Sequence, residues 1–348
     1  MAEPARLGVA AVRPSPLDTL PRVAARSAPA PADFAALVAS ETPVVIKGLF
    51  DDWVALAAGR QSPGRLNAYL AGMDRGAAVP VMEAPARAGG RFAYRADMRE
   101  FTFTKRSAPL RETLARIEGL IGQENAPTVA IQMLPLADAL AEFVRQNPMP
   151  LLPPEVGPKL WLGGGVKTQT HNDRDHNLAC VIAGRRRFTL FPPDQVANLY
   201  IGPLDNPPPL SLVDPENPDH DRFPLFREAM ASARVALLEP GDAIFIPKYW
   251  WHHVASLDPY NAMVNYWWGD TAQGIEKPND LFLAALLALK RLPPGERAYW
   301  HAMFETHVFS DAEVSAGHIP AALRGALGDL RADERTALLR QLLAAFQK

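Results

Sequence analysis

Cysteine is almost absent. The chain of 348 residues has one, Cys180, so no disulfide can close within it, which suits a reducing, cytoplasmic setting. An excess of charge of either sign is also missing. Lys and Arg number 36 against 38 Asp and Glu, a formal net charge of −2. That balance gives no electrostatic ground for a nucleic-acid partner or an anionic membrane surface, and the run Arg185-Arg186-Arg187 is too short to supply one. Long apolar runs are lacking as well. No stretch approaches the roughly 20 residues of a membrane span, and Leu7 to Val12 is too short for the core of a secretory signal. With 48% hydrophobic and 21% charged residues, the chain has an ordinary globular composition and the length to bury a core.

Proline, by contrast, is abundant. There are 34, against a usual share of about 5%, so turns and loops are frequent and firm. Residues 1–30, rich in Ala, Pro and Arg, read as an extended arm. Pro31 to Ser40 reads as a short helix, Pro43 to Lys47 as a buried strand closed by Gly48, and Thr113 to Leu120 as a helix. From Lys159 to Trp268 the texture changes to short strands: Lys159–Leu162, Lys167–His171, Asn177–Ile182, Arg185–Phe191, Ala243–Ile246, Trp250–Ser256 and Ala262–Trp268. A long Pro-rich excursion, Asp205 to Pro224, interrupts them. Short strands with Gly/Pro turns point to a sandwich or barrel. After Gly269 the periodicity is helical. Asn279 caps a helix carrying Leu281, Leu286 and Leu289, and Pro320 opens one with Leu323, Leu327 and Leu330. The last carries Leu338, Leu339, Leu342, Leu343 and Phe346. The organisation expected is an arm and mixed α/β support region (1–120), a β domain (121–270) and a C-terminal helical region (271–348).

The chemistry concentrates in Thr168-Gln-Thr-His171-Asn-Asp173. Residues two apart on a strand face the same way, so His171 and Asp173 can address one centre. A His-x-Asp pair alone is common. The second half of the chain gives it weight: the turn Glu239-Pro-Gly-Asp242, an apolar run to Ile246, then Tyr249-Trp-Trp-His252-His253, with His252 79 residues after Asp173. That gap suffices for a strand across a barrel to return to the first. Two His and one carboxylate on one face of an iron leave the other positions free.

These segments resemble the JmjC and cupin-like oxygenases, especially the asparaginyl hydroxylase that inhibits hypoxia-inducible factor. The resemblance runs from Trp161 to Trp268 and includes Arg187-Phe-Thr-Leu-Phe-Pro-Pro-Asp-Gln195, the loop Val213 to Pro224, Tyr249 to His253 and Asn265-Tyr-Trp267. Thr42 to Gly48 with Asp52-Trp53 matches more weakly. It implies a double-stranded β-helix, that is, a jelly-roll cupin of JmjC type, mainly β with flanking helices. It also selects His252 over His253 as third ligand, giving Fe(II) held by His171, Asp173 and His252, with 2-oxoglutarate as cosubstrate. Alternation agrees, since Trp250 and His252 share one face and Trp251 and His253 the other.

For the distal carboxylate of 2-oxoglutarate the resemblance implies Arg186, where the asparaginyl hydroxylase has Lys. Alternation puts Arg186 on a face with Phe188 and Leu190, where a charge needs a partner. In the competing register Arg186 faces water and Arg185 or Arg187 is the special one. Thr168 matches the hydroxyl for that carboxylate, Asn177 and Asn265 match amides near the chelating end, and Trp267 is directed inward. The family tyrosine on the strand before the barrel has no counterpart around Val129, Ala130 and Ile131.

The activity implied is hydroxylation of a protein or peptide side chain. Hydroxylation of a small molecule, or N-methyl demethylation, uses the same mechanism; a non-catalytic metal-binding cupin and a zinc isomerase are rivals. The complete ligand set argues against the non-catalytic cupin. The acidic second ligand and lack of a fourth argue against the zinc isomerase. Arg and Gln residues that grip the asparaginyl hydroxylase's peptide have no counterpart in Ile201 to Pro209, so that substrate does not carry over. Leucine stripes of the terminal helices, and dimerisation of that relative through C-terminal helices, make a homodimer the expected assembly.

Overall fold

Apolar residues at period two, broken by Gly and Pro, fold into fourteen strands among the described residues of this computed structural model, which are 15–95, 97–204, 209–269 and 278–346. They are β1 (Ala25–Ser27), β2 (Val44–Lys47), β3 (Ala78–Ala84), β4 (Arg91–Phe92), β5 (Thr104–Pro109), β6 (Thr128–Pro135), β7 (Lys159–Gly163), β8 (Lys167–Asn172), β9 (His176–Ala183), β10 (Arg186–Phe191), β11 (Arg234–Leu238), β12 (Asp242–Ile246), β13 (Trp251–Ser256) and β14 (Asn261–Trp268). The larger sheet runs β1-β2-β12-β9-β14-β7-β6-β3-β5 and the smaller β11-β10-β13-β8-β4. Only the β1–β2 and β4–β8 pairings are parallel.

Between the sheets Phe188, Leu190 and Val254 meet Ala179, Val181, Ile244, Ile246 and Met263. The opposite faces of β9, β12 and β14 bury Cys180, Ile182, Phe245 and Val264 against helices at Val54–Gln61, Pro63–Met73 and Leu110–Gly119. Strand β9 is therefore covered on both sides, which explains its unbroken apolar run from Leu178 to Ala183. Gly184 then carries the chain from the large sheet to the small one with φ +65°. A Cβ there would lie 2.3 Å from the Tyr260 carbonyl oxygen, so both its handedness and its packing require glycine.

Four readings of the sequence are corrected. The division at residue 120 separates no folding units, because β3 and β5 share a sheet with β6 and β7. The chain instead falls into two compact units, Met1–Gly269 and Asp270–Lys348. The N-terminal arm is packed in its described part: Leu17 and Val23 are buried, and β1 joins β2. Residues 1–14 of that arm lie outside the described residues. Strand β11 was not expected, since Arg234 to Leu238 follows directly on the helix Phe226–Ser232. The helix expected after Pro320 is only two 3₁₀ turns, Ala321–Leu323 and Gly325–Leu327; Gly325 at φ +51° and Gly328 break it.

Arg187 fastens three segments together. It is 2% exposed and bonds Asp18 (3.0 Å) near the N-terminus and Glu216 in the long loop. Lys167 of β8 also bonds Glu216. Removing the guanidinium leaves Asp18 without this partner and Glu216 with Lys167 alone. Arg187→Met should lower unfolding free energy by about 3 kcal/mol, read by urea denaturation. An unchanged midpoint and slope would contradict this clamp.

Candidate metal centre

Strands β8 and β13 pair with His171 opposite His252. Two residues of β8, Gln169 and Thr170, then face one of β13, His253, before Thr168 pairs with Val254. This bulge resets the alternation, so Thr168 and His171, three apart, both face the cavity. Gln169 turns outward and donates to the Ser211 and Val213 carbonyls of the long loop (3.0 and 2.6 Å).

His171, Asp173 and His252 converge, with one ligand atom from each lying within 4.8 Å of the others. The rings of His171 and His252 are 4.4 Å apart, and His252 Nε2 is 3.6 Å from Asp173 Oδ2. His171 Nδ1 lies 2.8 Å from the Gln169 carbonyl and His252 Nδ1 3.0 Å from that of Trp250. A carbonyl only accepts, so each Nδ1 carries the proton and each Nε2 keeps its lone pair for the centre. Burial, followed by the neighbouring His171, pushes the His252 pKa down to about 4, which keeps that ring neutral and able to ligate. The donor set suits a divalent metal such as iron(II), and no fourth His, Cys or acidic ligand joins it among the described residues.

The carboxylate is held from behind. Trp267 Nε1 donates to Asp173 Oδ2 (3.1 Å), as does Asn177 Nδ2 (3.3 Å). Asn265 Nδ2 donates to Asn177 Oδ1 (3.2 Å), and Trp161 Nε1 to Asn265 Oδ1 (2.7 Å). These bonds fix the amide orientations in one direction along the chain of donors. Asn177 thus bonds Asp173 directly and Asn265 reaches it through Asn177, while both amides, expected from sequence near the chelating end of the cosubstrate, line the same cavity.

Three consecutive arginines have three fates. Arg185 forks Asp258, and Arg187 takes Asp18 and Glu216. Arg186 is buried beside Phe188 and has no carboxylate partner among the described residues. Its Nε bonds Asn261 Oδ1, and its Nη2 lies a marginal 3.5 Å from the Trp161 carbonyl. Burial pushes its pKa down to about 9. The register that puts Arg186 inside is therefore the one observed.

All eight residues named from sequence, Thr168, His171, Asp173, Asn177, Arg186, His252, Asn265 and Trp267, line one cavity of about 210 Å³. His253 is buried on the other face, where burial and then the nearby Arg187 press its pKa down to about 3. His176 packs on Phe245 and Trp268. Sequence reasoning missed Trp161, Asn261 and Gln132. Asn261 had a readable signal, since Asn261, Met263, Asn265 and Trp267 follow period two along β14; Trp161 lies opposite Met263 on β7. Gln132 had none: β6 shifts register between Ile131 and Leu134, with Met133 at φ +56°.

The jelly-roll sheets, with two histidines and one carboxylate converging in their cavity, define a cupin with a candidate metal centre. Residues 30–274 match the cupin-like domain, and the chain belongs to the JmjC cupin-like family. It is 39% identical over 112 residues to human HSPB1-associated protein 1, covering 31% of this chain and 22% of that protein. It is 36% identical over 110 residues to the lysine-specific demethylase JMJ31 of Arabidopsis thaliana (31% and 20%). It is 34% identical over 117 residues to Jumonji C domain-containing protein 5 of Drosophila melanogaster (33% and 28%). The match thus spans less than a third of each relative's length. No helix among the described residues is long and apolar enough to cross a membrane.

Asp173→Ala should abolish stoichiometric iron(II) binding, since the only anionic ligand is lost. His252→Ala should weaken it at least about tenfold, and His253→Ala much less. Equal losses for both histidines in folded protein, by anaerobic metal titration, would overturn the ligand assignment.

Proposed function

We propose that the protein is an iron(II)- and 2-oxoglutarate-dependent oxygenase that hydroxylates a side chain of a protein or peptide. One observation carries the reading: Arg186, a buried guanidinium without a carboxylate, lines the cavity that the three metal ligands share. A buried charge requires a counter-ion, and a dicarboxylate that also chelates the metal supplies it.

His171, Asp173 and His252 would hold the iron. Bound there with 2-oxoglutarate, it supplies oxidative decarboxylation to succinate and carbon dioxide, coupled to oxidation of a substrate C–H bond. The chain's own part is positioning. Arg186 and the Thr168 hydroxyl receive the distal carboxylate, while Asn177, Asn265 and Trp267 keep Asp173 aimed. Phe92, Phe101, Phe103 and Met133 give the cavity an apolar wall on the side where the substrate would lie. One relative is named a lysine-specific demethylase, which makes N-methyl demethylation the second reading. A small-molecule substrate is compatible with the same centre. A cytoplasmic setting fits the lone, buried Cys180.

The test is succinate release dependent on iron(II), oxygen and 2-oxoglutarate, followed by mass spectrometry of treated lysate for oxygen gained or methyl lost. Formaldehyde release selects demethylation. No succinate with iron bound indicates a non-catalytic cupin. Arg186→Ala should raise the apparent KM for 2-oxoglutarate about tenfold or more while iron still binds. A larger effect from Arg185→Ala or Arg187→Ala would contradict the assignment.

We further propose a homodimer through the C-terminal unit. The helix Pro278–Leu289 exposes Leu281, Phe282 and Leu287, and the helix Ala332–Phe346 exposes Leu342 and Leu343. Apolar faces of this kind need covering. Light scattering at micromolar concentration should give about twice the 38.0 kDa chain mass; a stable, active monomer would refute it.

A further inference from the structure

The wall of the cavity beyond the metal ligands is apolar, built by Met82, Phe92, Phe101, Phe103, Met133 and Leu210. Phe101 lies 5.0 Å from Phe103, and Phe103 lies 4.9 Å from Phe92, each pair tilted by only 31°. The rings thus form an offset-stacked series in which Phe101 and Phe103 still offer ring face to an ammonium. Such a face attracts a cation, but the protein has already placed one there. Lys105 Nζ stands 5.6 Å from the Phe101 centroid and 5.8 Å from that of Phe103. Lys159 Nζ likewise covers the Trp267 face at 4.9 Å.

Lys105 is exposed and itself lines the cavity, across from Met82 on β3. It has no carboxylate partner among the described residues. The adjacent acid, Glu83, is engaged by Arg106 and Arg116. Asp173 is the one carboxylate lining the cavity among the described residues. With iron(II) and doubly ionised 2-oxoglutarate in place, the charges of Asp173, Arg186, metal and cosubstrate sum to zero. The charge of Lys105 is then left uncompensated at the mouth.

We infer that the substrate offers an uncharged apolar group to the reacting position and bears an anionic group beside it, which Lys105 receives. An N-methylammonium group would meet an occupied aromatic face, a repelling ammonium and no free carboxylate. The inference rests on the oxygenase reading and narrows its substrate class to apolar groups flanked by an anion. The same chemistry is offered by a free amphiphilic anion or by an apolar side chain next to an acidic one in a peptide.

The test is calorimetry on the full-length protein, anaerobic and saturated with iron(II) and 2-oxoglutarate. Hexanesulfonate is compared with hexyltrimethylammonium. A capped pentapeptide with leucine between two aspartates is compared with one carrying two lysines instead. The anion should bind about tenfold tighter in at least one pair, the scale of one charge-assisted contact, and that pair identifies the source. Lys105→Glu should reverse the preference, whereas Arg65→Glu on the remote helix Pro63–Met73 should leave it. Equal or tighter binding of the cations, no binding of any probe, or a preference unmoved by Lys105→Glu would each overturn the inference. Succinate release by the wild-type protein is measured alongside. Anion preference without succinate sinks only the oxygenase reading; succinate with cation preference sinks only this one.

Discussion

A charge without a partner organises this site. Placing a guanidinium between two apolar sheets is unfavourable by several kcal/mol unless something neutralises it, and Arg186 has only a neighbouring amide and a backbone carbonyl. Its flanking arginines show how the fold treats the same side chain elsewhere: Arg185 and Arg187 both hold acids. On the proposed reading, the exception at Arg186 is met by the distal carboxylate of the cosubstrate. Its surroundings are arranged for that position. Gly184 turns β9 into β10 at a point where no larger residue fits, and Asn261 bonds both the Arg185 carbonyl and the Arg186 guanidinium.

The metal ligands are made rigid by a different device. Two histidines anchor Nδ1 on the carbonyls two residues before them, and Asp173 is gripped by Trp267 and by the Asn177–Asn265–Trp161 relay. Support of this kind sets tautomer and aim before any ion arrives. The two devices meet in one cavity, and much of its remaining wall comes from the strands β3, β4, β5 and β6 and the segments that flank them, with Leu210 from the long loop. On the proposed function, binding of cosubstrate would fall to residues 160–270 and choice of substrate largely to residues upstream.

That division explains what was legible. The barrel strands were readable because period two and Gly/Pro punctuation survive in them, and two of the three ligands, His171 and Asp173, sit together at the end of one such strand. Thr168 was named by resemblance and lines the cavity, although strict alternation would turn it away; the bulge at Gln169 and Thr170 reconciles the two. Gln132 and Met133 were hidden by a register shift in β6, and Lys105 and the phenylalanine bank by short strands between irregular segments. The Pro320 helix failed for the opposite reason. Its leucine spacing is helical, but Gly325 and Gly328 weaken it beyond what the leucines restore.

The central claim is that Arg186 and the three-ligand centre together form a 2-oxoglutarate site. The most direct measurement is an anaerobic calorimetric titration of 2-oxoglutarate into the iron(II)-loaded protein, repeated without metal. The account predicts one 2-oxoglutarate per chain, bound tightly only with iron present, and a matching weaker isotherm for Arg186→Met. Full iron occupancy with no 2-oxoglutarate binding, or binding indifferent to both the metal and Arg186, would contradict it.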